Sequence, residues 1–159
     1  MLPKSESVVP PLRVIRVVAG DFQLSARTAV GFQATFDAGG LLVHRTDEDY
    51  AKLCFEASPG GDHMVISVVT RGVSDDANGP IVDAGFVDLR VSRIGAVYAF
   101  HYSIDGGRWN MVRVFSLRPG GESTAVGFSA QSPTGHGCSV EFSNISYSAT
   151  TLTDIRSGS

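Results

Sequence analysis

Several polar side chains in this chain recur at spacings that give them a common surface if the backbone around them is extended. Tyr50, Lys52 and Glu56 share one parity, while Ala51, Leu53 and Phe55 hold the other. Side chains alternate between the two faces of a β-strand, so the polar trio projects to one side and the apolar trio to a core. Asp88 and Arg90 share a face in the same way, opposite Val87, Leu89 and Val91. Thr70, His101, Arg113 and Gln131 stand in other extended runs and are expected neighbours if the polar face is the concave side of a sheet. Carboxylates accept hydrogen bonds, lysine and arginine donate them, and the rings of Tyr50 and Trp109 offer flat faces. Together these residues suit a carbohydrate or another small polar ligand. The bland alternative is cross-strand ion pairing on a solvated sheet face, with Glu56 held by an arginine.

Other chemistries find less support. Glycoside hydrolysis needs two carboxyl groups at a set separation. Glu56 stands alone on its run and Asp88 is followed by Arg90, so a Glu56/Asp88 pair is the one candidate, and no catalytic residue is assigned. Asp75-Asp-Ala-Asn-Gly79 offers oxygen ligands at short spacing, but it lacks the glycine and glutamate positions of a calcium loop and reads as a solvated turn. His44, His63, His101 and His136 have no paired ligand spacing, although strands are able to bring His44 and His101 together. No nucleophile elbow and no phosphate-cradling glycine loop before a helix occurs. No metal site and no cofactor is expected.

The elements that must position these residues are strands. Apolar alternation with period two dominates, and helical spacing is not sustained. Extended runs are expected at 12–18, 30–36, 41–45, 50–56, 63–70, 86–93, 97–103, 111–117, 124–131 and 138–147. Glycine and proline clusters separate them, and Ile104-Asp-Gly-Gly-Arg108 is a strong hairpin signal. Short strands joined by tight turns argue for an all-β sandwich or barrel. Its core should contain Phe32, Leu53, Phe55, Ile66, Val68, Leu89, Val91, Phe100, Val126, Phe128 and Phe142. The first ten residues and the last ten are polar enough to fray, leaving an ordered core at about 12–148.

Composition narrows the partners. The chain has 159 residues, 43% hydrophobic and 18% charged, which suits a single domain (1–159) with one sizeable core. A net charge of −3 leaves no basic surplus for phosphates, so no nucleic acid partner is expected. No apolar stretch is long enough to span a membrane, and Met1–Ser7 lacks the apolar core of an export signal. A cytoplasmic location and reduced thiols at Cys54 and Cys138 follow.

Several strings then carry a resemblance. They are Phe36-Asp-Ala-Gly-Gly-Leu-Leu-Val-His-Arg45, Asp47-Glu-Asp-Tyr-Ala-Lys-Leu53 with Glu56, and Val68-Val-Thr-Arg-Gly-Val-Ser-Asp75. Leu89-Arg-Val-Ser-Arg93, Tyr102-Ser-Ile-Asp-Gly106 and Ser132-Pro-Thr-Gly-His-Gly137 follow in order. Over residues 20–147 the chain resembles the uncharacterised regulation-of-enolase-protein-like family of the concanavalin A-like lectin and glucanase superfamily. The resemblance implies a two-sheet antiparallel jelly-roll sandwich. It departs where Ala38 holds a glutamine position and Tyr50 a tryptophan position, so no ligand contact of those residues carries over. The leading expectation is a non-catalytic binding module for a carbohydrate or other small polar ligand. The alternatives are a protein-interaction domain, such as a homodimer joined through a strand edge, and a glycan-active hydrolase.

Overall fold

The computed structural model describes residues 11–119 and 123–159, and within them every regular element is a strand. In chain order these are β1 (Leu12–Ala19), β2 (Phe22–Val30), β3 (Ala38–Thr46), β4 (Asp49–Ala57), β5 (His63–Arg71) and β6 (Val73–Ile81). They continue as β7 (Val87–Ile94), β8 (Val97–Ser103), β9 (Asn110–Phe115), β10 (Ser123–Gln131) and β11 (Val140–Ser148). Two antiparallel sheets form a sandwich: a six-stranded sheet in the order β1-β10-β3-β4-β5-β6 and a five-stranded sheet in the order β11-β2-β7-β8-β9.

Alternation decides which side chains meet between the sheets. Leu41, Val43, Leu53, Phe55, Val65, Val69 and Val126 from the six-stranded sheet pack on Phe22, Leu24, Ala26, Leu89, Val91 and Phe100 from the other. The expected Ile104–Arg108 hairpin joins β8 to β9. There the Asp105 carboxylate accepts from Gly107 N and Arg108 N at 2.8 Å, while Gly106 adopts φ 76°.

Several expectations need correction. The run at 30–36 is not a strand; the strand is β2, ending at Val30, and its alternation lies in Phe22, Leu24, Ala26 and Thr28. Residues 75–79, read as a solvated turn, belong to β6, where an outer strand tolerates aspartates and a proline that an inner one would not. In β5 the core face is Val65, Ser67 and Val69, while Ile66 and Val68 lie on the opposite, outer face. That run is apolar at both parities, so alternation alone does not choose. Phe32, Phe128 and Phe142 pack against the core but stay partly exposed. The last ten residues, read as polar enough to fray, have a defined course. They lie back over the five-stranded sheet, where Leu152 is buried and Thr150 and Thr151 bond Gln23 and Asp21. The first ten lie outside the described residues.

Candidate functional site

Strand pairing divides the expected site residues. On β4, Tyr50, Lys52, Cys54 and Glu56 face outward from the six-stranded sheet, because Ala51, Leu53 and Phe55 are the buried set. Register then places Thr70 beside Tyr50, and Gln131 two strands from Glu56 through Ala38. Tyr50, Lys52, Glu56, Thr70 and Gln131, five of the expected site residues, thus share one outer face. Asp88, Arg90 and His101 share the outer face of the other sheet, with Arg90 opposite His101 across β7 and β8. The two groups lie on opposite sides of the sandwich, so the single cluster expected of all nine does not form. Parity tells which face a side chain takes within a sheet, but not which sheet its strand joins.

Arg113 belongs to neither face. Its strand β9 ends the five-stranded sheet, and its guanidinium reaches Ser67 Oγ at 3.4 Å and the Asp75 carbonyl at 3.3 Å on β5 and β6. It closes the sandwich side. Glu56 and Asp88 are likewise apart and form no hydrolytic pair; both Asp88 oxygens are taken by Arg27, at 3.0 and 3.2 Å. His44 and His101 lie on different sheets.

The outer face of the six-stranded sheet carries a trough. Its floor is short or buried: Ala38, Gly40, Leu42, Cys54 and Ser129. Gly40 must stay bare, since an added Cβ would come within 2.8 Å of Cys54 Cα on the paired strand. One stretch is a depression of about 200 Å³ lined by Arg13, Leu42, Asp47, Tyr50, Lys52 and Ser129. The Lys52 ammonium donates to Gln131 Oε1 at 3.2 Å, and the Gln131 amide donates to the Phe36 carbonyl at 3.4 Å. Tyr50 stacks on His44, which meets Asp47 at 3.1 Å, and Thr70 shares a 2.8 Å hydrogen bond with Ser74.

Glu56 is the exception. Its half-buried carboxyl makes no hydrogen bond among the described residues, and no arginine pairs with it. Burial pushes it up to about 6; the Lys52 charge pulls the other way and Asp76 adds repulsion. Below it, burial pushes the Cys54 thiol up to about 11, so it stays protonated and inert. Arg13 and Ser129 were not singled out by the sequence, Asp47 stood only within a string and Asp76 only in a stretch read as a solvated turn; the signal that brings them to the trough is the pairing of distant strands. Asp37 was quoted only within a string, yet it is wholly buried and accepts from Gln33 N and Ala34 N at 2.9 Å and from Ser132 Oγ at 2.5 Å. Burial raises its carboxyl, and these bonds more than offset that, leaving it below the ordinary value. Asp37 ties loop 31–37 to loop 132–137 behind the trough.

Among the described residues, no group of three or more His, Cys, Asp or Glu is placed to hold a metal ion. No helix among them is long and apolar enough to cross a membrane. Cys54 and Cys138 are free thiols.

Residues 11–150 match the family described as a protein of unknown function, DUF1349. The chain belongs to that family. The trough and the core of this DUF1349 chain therefore fall within the part that defines the family. No curated protein matches the sequence. Among solved structures, a functionally unknown protein from Saccharomyces cerevisiae superposes with TM-score 0.79 at 27% identity, covering 87% of this chain and 75% of the yeast chain. The GH43 BlXynB protein from Bacillus licheniformis gives 0.71 at 17% identity, over 82% of this chain and 28% of that one. A xylan beta-1,4-xylosidase from Bacillus halodurans C-125 gives 0.69 at 16% identity, over 80% and 27%. The DUF1349 chain thus spans little more than a quarter of these glycoside hydrolases, and with them it shares the fold.

Proposed function

We propose that this protein is a non-catalytic binding module that takes a carbohydrate or a similar hydroxyl-rich ligand in the trough on the six-stranded sheet. The observation that carries this reading is Glu56. A half-buried carboxyl without a hydrogen bond costs stability when ionised, and a fold keeps such a group where something else satisfies it. Ligand hydroxyls would donate to Glu56 and accept from Lys52, Gln131 would serve either way, and the Tyr50 ring would border the sugar face. A cytoplasmic setting belongs to the same reading, supported by two unpaired thiols. The test is a thermal-shift panel at neutral pH with mono- and oligosaccharides, xylo-oligosaccharides included. A saturable rise in melting temperature in the parent, lost in Glu56→Gln and Lys52→Met, is the expected result. No shift from any sugar at millimolar concentration would remove the reading's support. Release of new reducing ends would replace binding by hydrolysis, with Glu56 as the acid.

A second reading, association of two copies, has its own observation. The outward edge of β1 has no partner strand among the described residues, and Val14 and Val17 on it are 67% and 68% exposed. Beside it an apolar groove of about 490 Å³ runs between β1 and β11, lined by Leu24, Val126, Phe128, Ile145 and Tyr147 among others. A second copy fits this edge. Two-fold antiparallel pairing about Ile15 sets Arg13 against Val17 and Val14 against Arg16, so no arginine faces another. The opposite end of the sheet, β6, is guarded by Asp75, Asp76 and Pro80, so growth would stop at two copies. Light scattering should find a dimer that Val17→Lys converts to a monomer; a parent monomeric at every concentration would refute it.

A further inference from the structure

The outer face of the five-stranded sheet holds a second arrangement of polar groups, remote from the trough. Arg90 is 6% exposed and His101 and Ser92 are fully buried. The Arg90 guanidinium lies 4.4 Å from the Trp109 ring centroid, and its Nη2 donates to the Gly158 carbonyl at 2.6 Å. His101 Nε2 meets the Ile155 carbonyl at 2.6 Å. Three buried atoms in this neighbourhood have no hydrogen-bond partner among the described residues: Arg90 Nε, Ser92 Oγ and His101 Nδ1. No carboxylate among the described residues pairs with Arg90, because the adjacent Asp88 is committed to Arg27 through both oxygens. A cation so placed is expensive unless an anion joins it.

The way the tail occupies this place is informative. Gly158 has φ 75°, and a Cβ there would meet Trp109 Cβ at 2.7 Å, Arg90 Nη2 at 2.9 Å and His101 Cδ2 at 3.2 Å. The tail therefore enters a niche that admits backbone only. An arginine presents Nε and Nη2 as a fork that a carboxylate grips with both oxygens. Here a single carbonyl oxygen takes Nη2 and leaves Nε bare. The carbonyl is half of what the fork is built to hold, and it carries no charge.

We propose that Arg90, Ser92, His101 and Trp109 form a carboxylate-binding niche on the five-stranded sheet, and that segment 149–159 is its displaceable plug. A ligand carboxylate engages Arg90 Nε and Nη2 together and supplies the missing counter-charge. Ser92 Oγ lies next to Arg90 on the same face and provides a further donor. The tail must lift for the ligand to enter, so the apparent affinity is the intrinsic one reduced by the fraction of molecules with the tail released. Its polar anchors are few: Thr150 on Gln23 and Thr151 on Asp21 at the surface, and the two carbonyls deeper in, with Leu152 as its buried apolar contact.

Trp109 is the single tryptophan of the chain and stacks on the arginine in question, so its fluorescence reports the niche directly. The full chain is titrated with sodium acetate and sodium malonate at constant ionic strength, with acetamide and sodium chloride as controls. A saturable change of emission with the carboxylates but not with the controls is expected. Arg90→Lys keeps the charge but loses the fork, and should weaken binding about tenfold, the worth of one charge-assisted bond. Gly158→Val leaves the sheet untouched but cannot seat the tail, and should strengthen binding severalfold. If Arg90→Lys does not fold, Gly158→Val alone decides. No response of Trp109 to either carboxylate in both parent and Gly158→Val overturns the proposal, and so does an equal response to acetamide. The trough is on the opposite face, so Glu56→Gln should leave this titration unchanged; a Glu56→Gln variant that loses the response would assign the binding to the trough instead.

Discussion

Replacing Glu56 by glutamine should stabilise the protein at neutral pH and leave it unchanged in acid. The substitution keeps the shape of the side chain and removes its ionisation. In the fold, burial pushes the carboxyl from its ordinary value of 4.5 to about 6, against the pull of Lys52. Because the folded value is the higher one, the fold prefers the protonated form. Below about pH 4.5 the group is protonated in folded and unfolded chains alike and has no effect on the balance between them. As pH rises towards 6, the unfolded chain ionises freely while the folded chain resists, and stability falls. Above about 6 the loss is complete and constant. A displacement of this size corresponds to about 1–2 kcal/mol. Glutamine escapes that loss, so Glu56→Gln should melt roughly 3–6 °C higher than the parent at pH 7.5 and together with it near pH 4. Thermal unfolding by circular dichroism at both pH values measures the difference. A glutamine variant that melts lower than the parent at pH 7.5 would mean that Lys52 more than compensates the buried charge. Glu56 would then be a structural ion pair, and the reasoning that makes it a binding group would fail.

Three further outcomes follow from the same geometry. Asp37→Ala removes the acceptor for two backbone donors and Ser132, and should cost about 2–4 kcal/mol in chemical denaturation; a cost below about 0.5 kcal/mol would show that the two loops do not depend on it. Gly40→Ala pushes a methyl group into the backbone of β4 and should cost about 1–3 kcal/mol, whereas an unchanged midpoint would show that the strands part freely. With an aromatic disulfide reagent in the native state, Cys138 should react well before Cys54, which is 2% exposed and raised to about 11; equal rates would mean that the trough floor opens.

The architecture was legible because period-two alternation is a local signal. The faces of β4, β7 and β8 could be read directly, since apolar and polar residues take opposite parities in each. The face of β5 could not, because Val65, Ile66, Val68 and Val69 fill both parities. β6 was hidden by aspartates, a glycine and a proline, residues that an edge accommodates. In β2, Phe22, Leu24, Ala26 and Val30 alternate cleanly, but Phe32, Ala34 and Phe36 carry the same parity past the end of the strand, so alternation alone does not place its bounds. The site was legible only in part. Tyr50, Lys52 and Glu56 belong together through one strand, and Thr70 and Gln131 join them through pairings that happen to place them well. Arg90 and His101 pair with each other, but their sheet is set by the pairing of β7 with β2 and β8, which no local pattern names. The folded tail was invisible for a similar reason: it is held by carbonyls, and a backbone carbonyl leaves no mark in a sequence.

The position of β1 bears on how this chain comes to be made. Within its sheet β1 has one partner, β10, and the register joins Leu12 to Ala130. A growing polypeptide therefore exposes the Val- and Ile-rich β1 throughout synthesis of everything up to residue 131. β2 waits longer still for β11, although β7 gives it an earlier neighbour. Loop closure over such distances is slow, and a bare apolar strand is an invitation to other chains in the meantime. The first described strand is among the last to be paired. Among the described residues, both edges of β1 are bare until β10 is made and one still is afterwards, so a chaperone holding Leu12–Ala19 would matter most during synthesis.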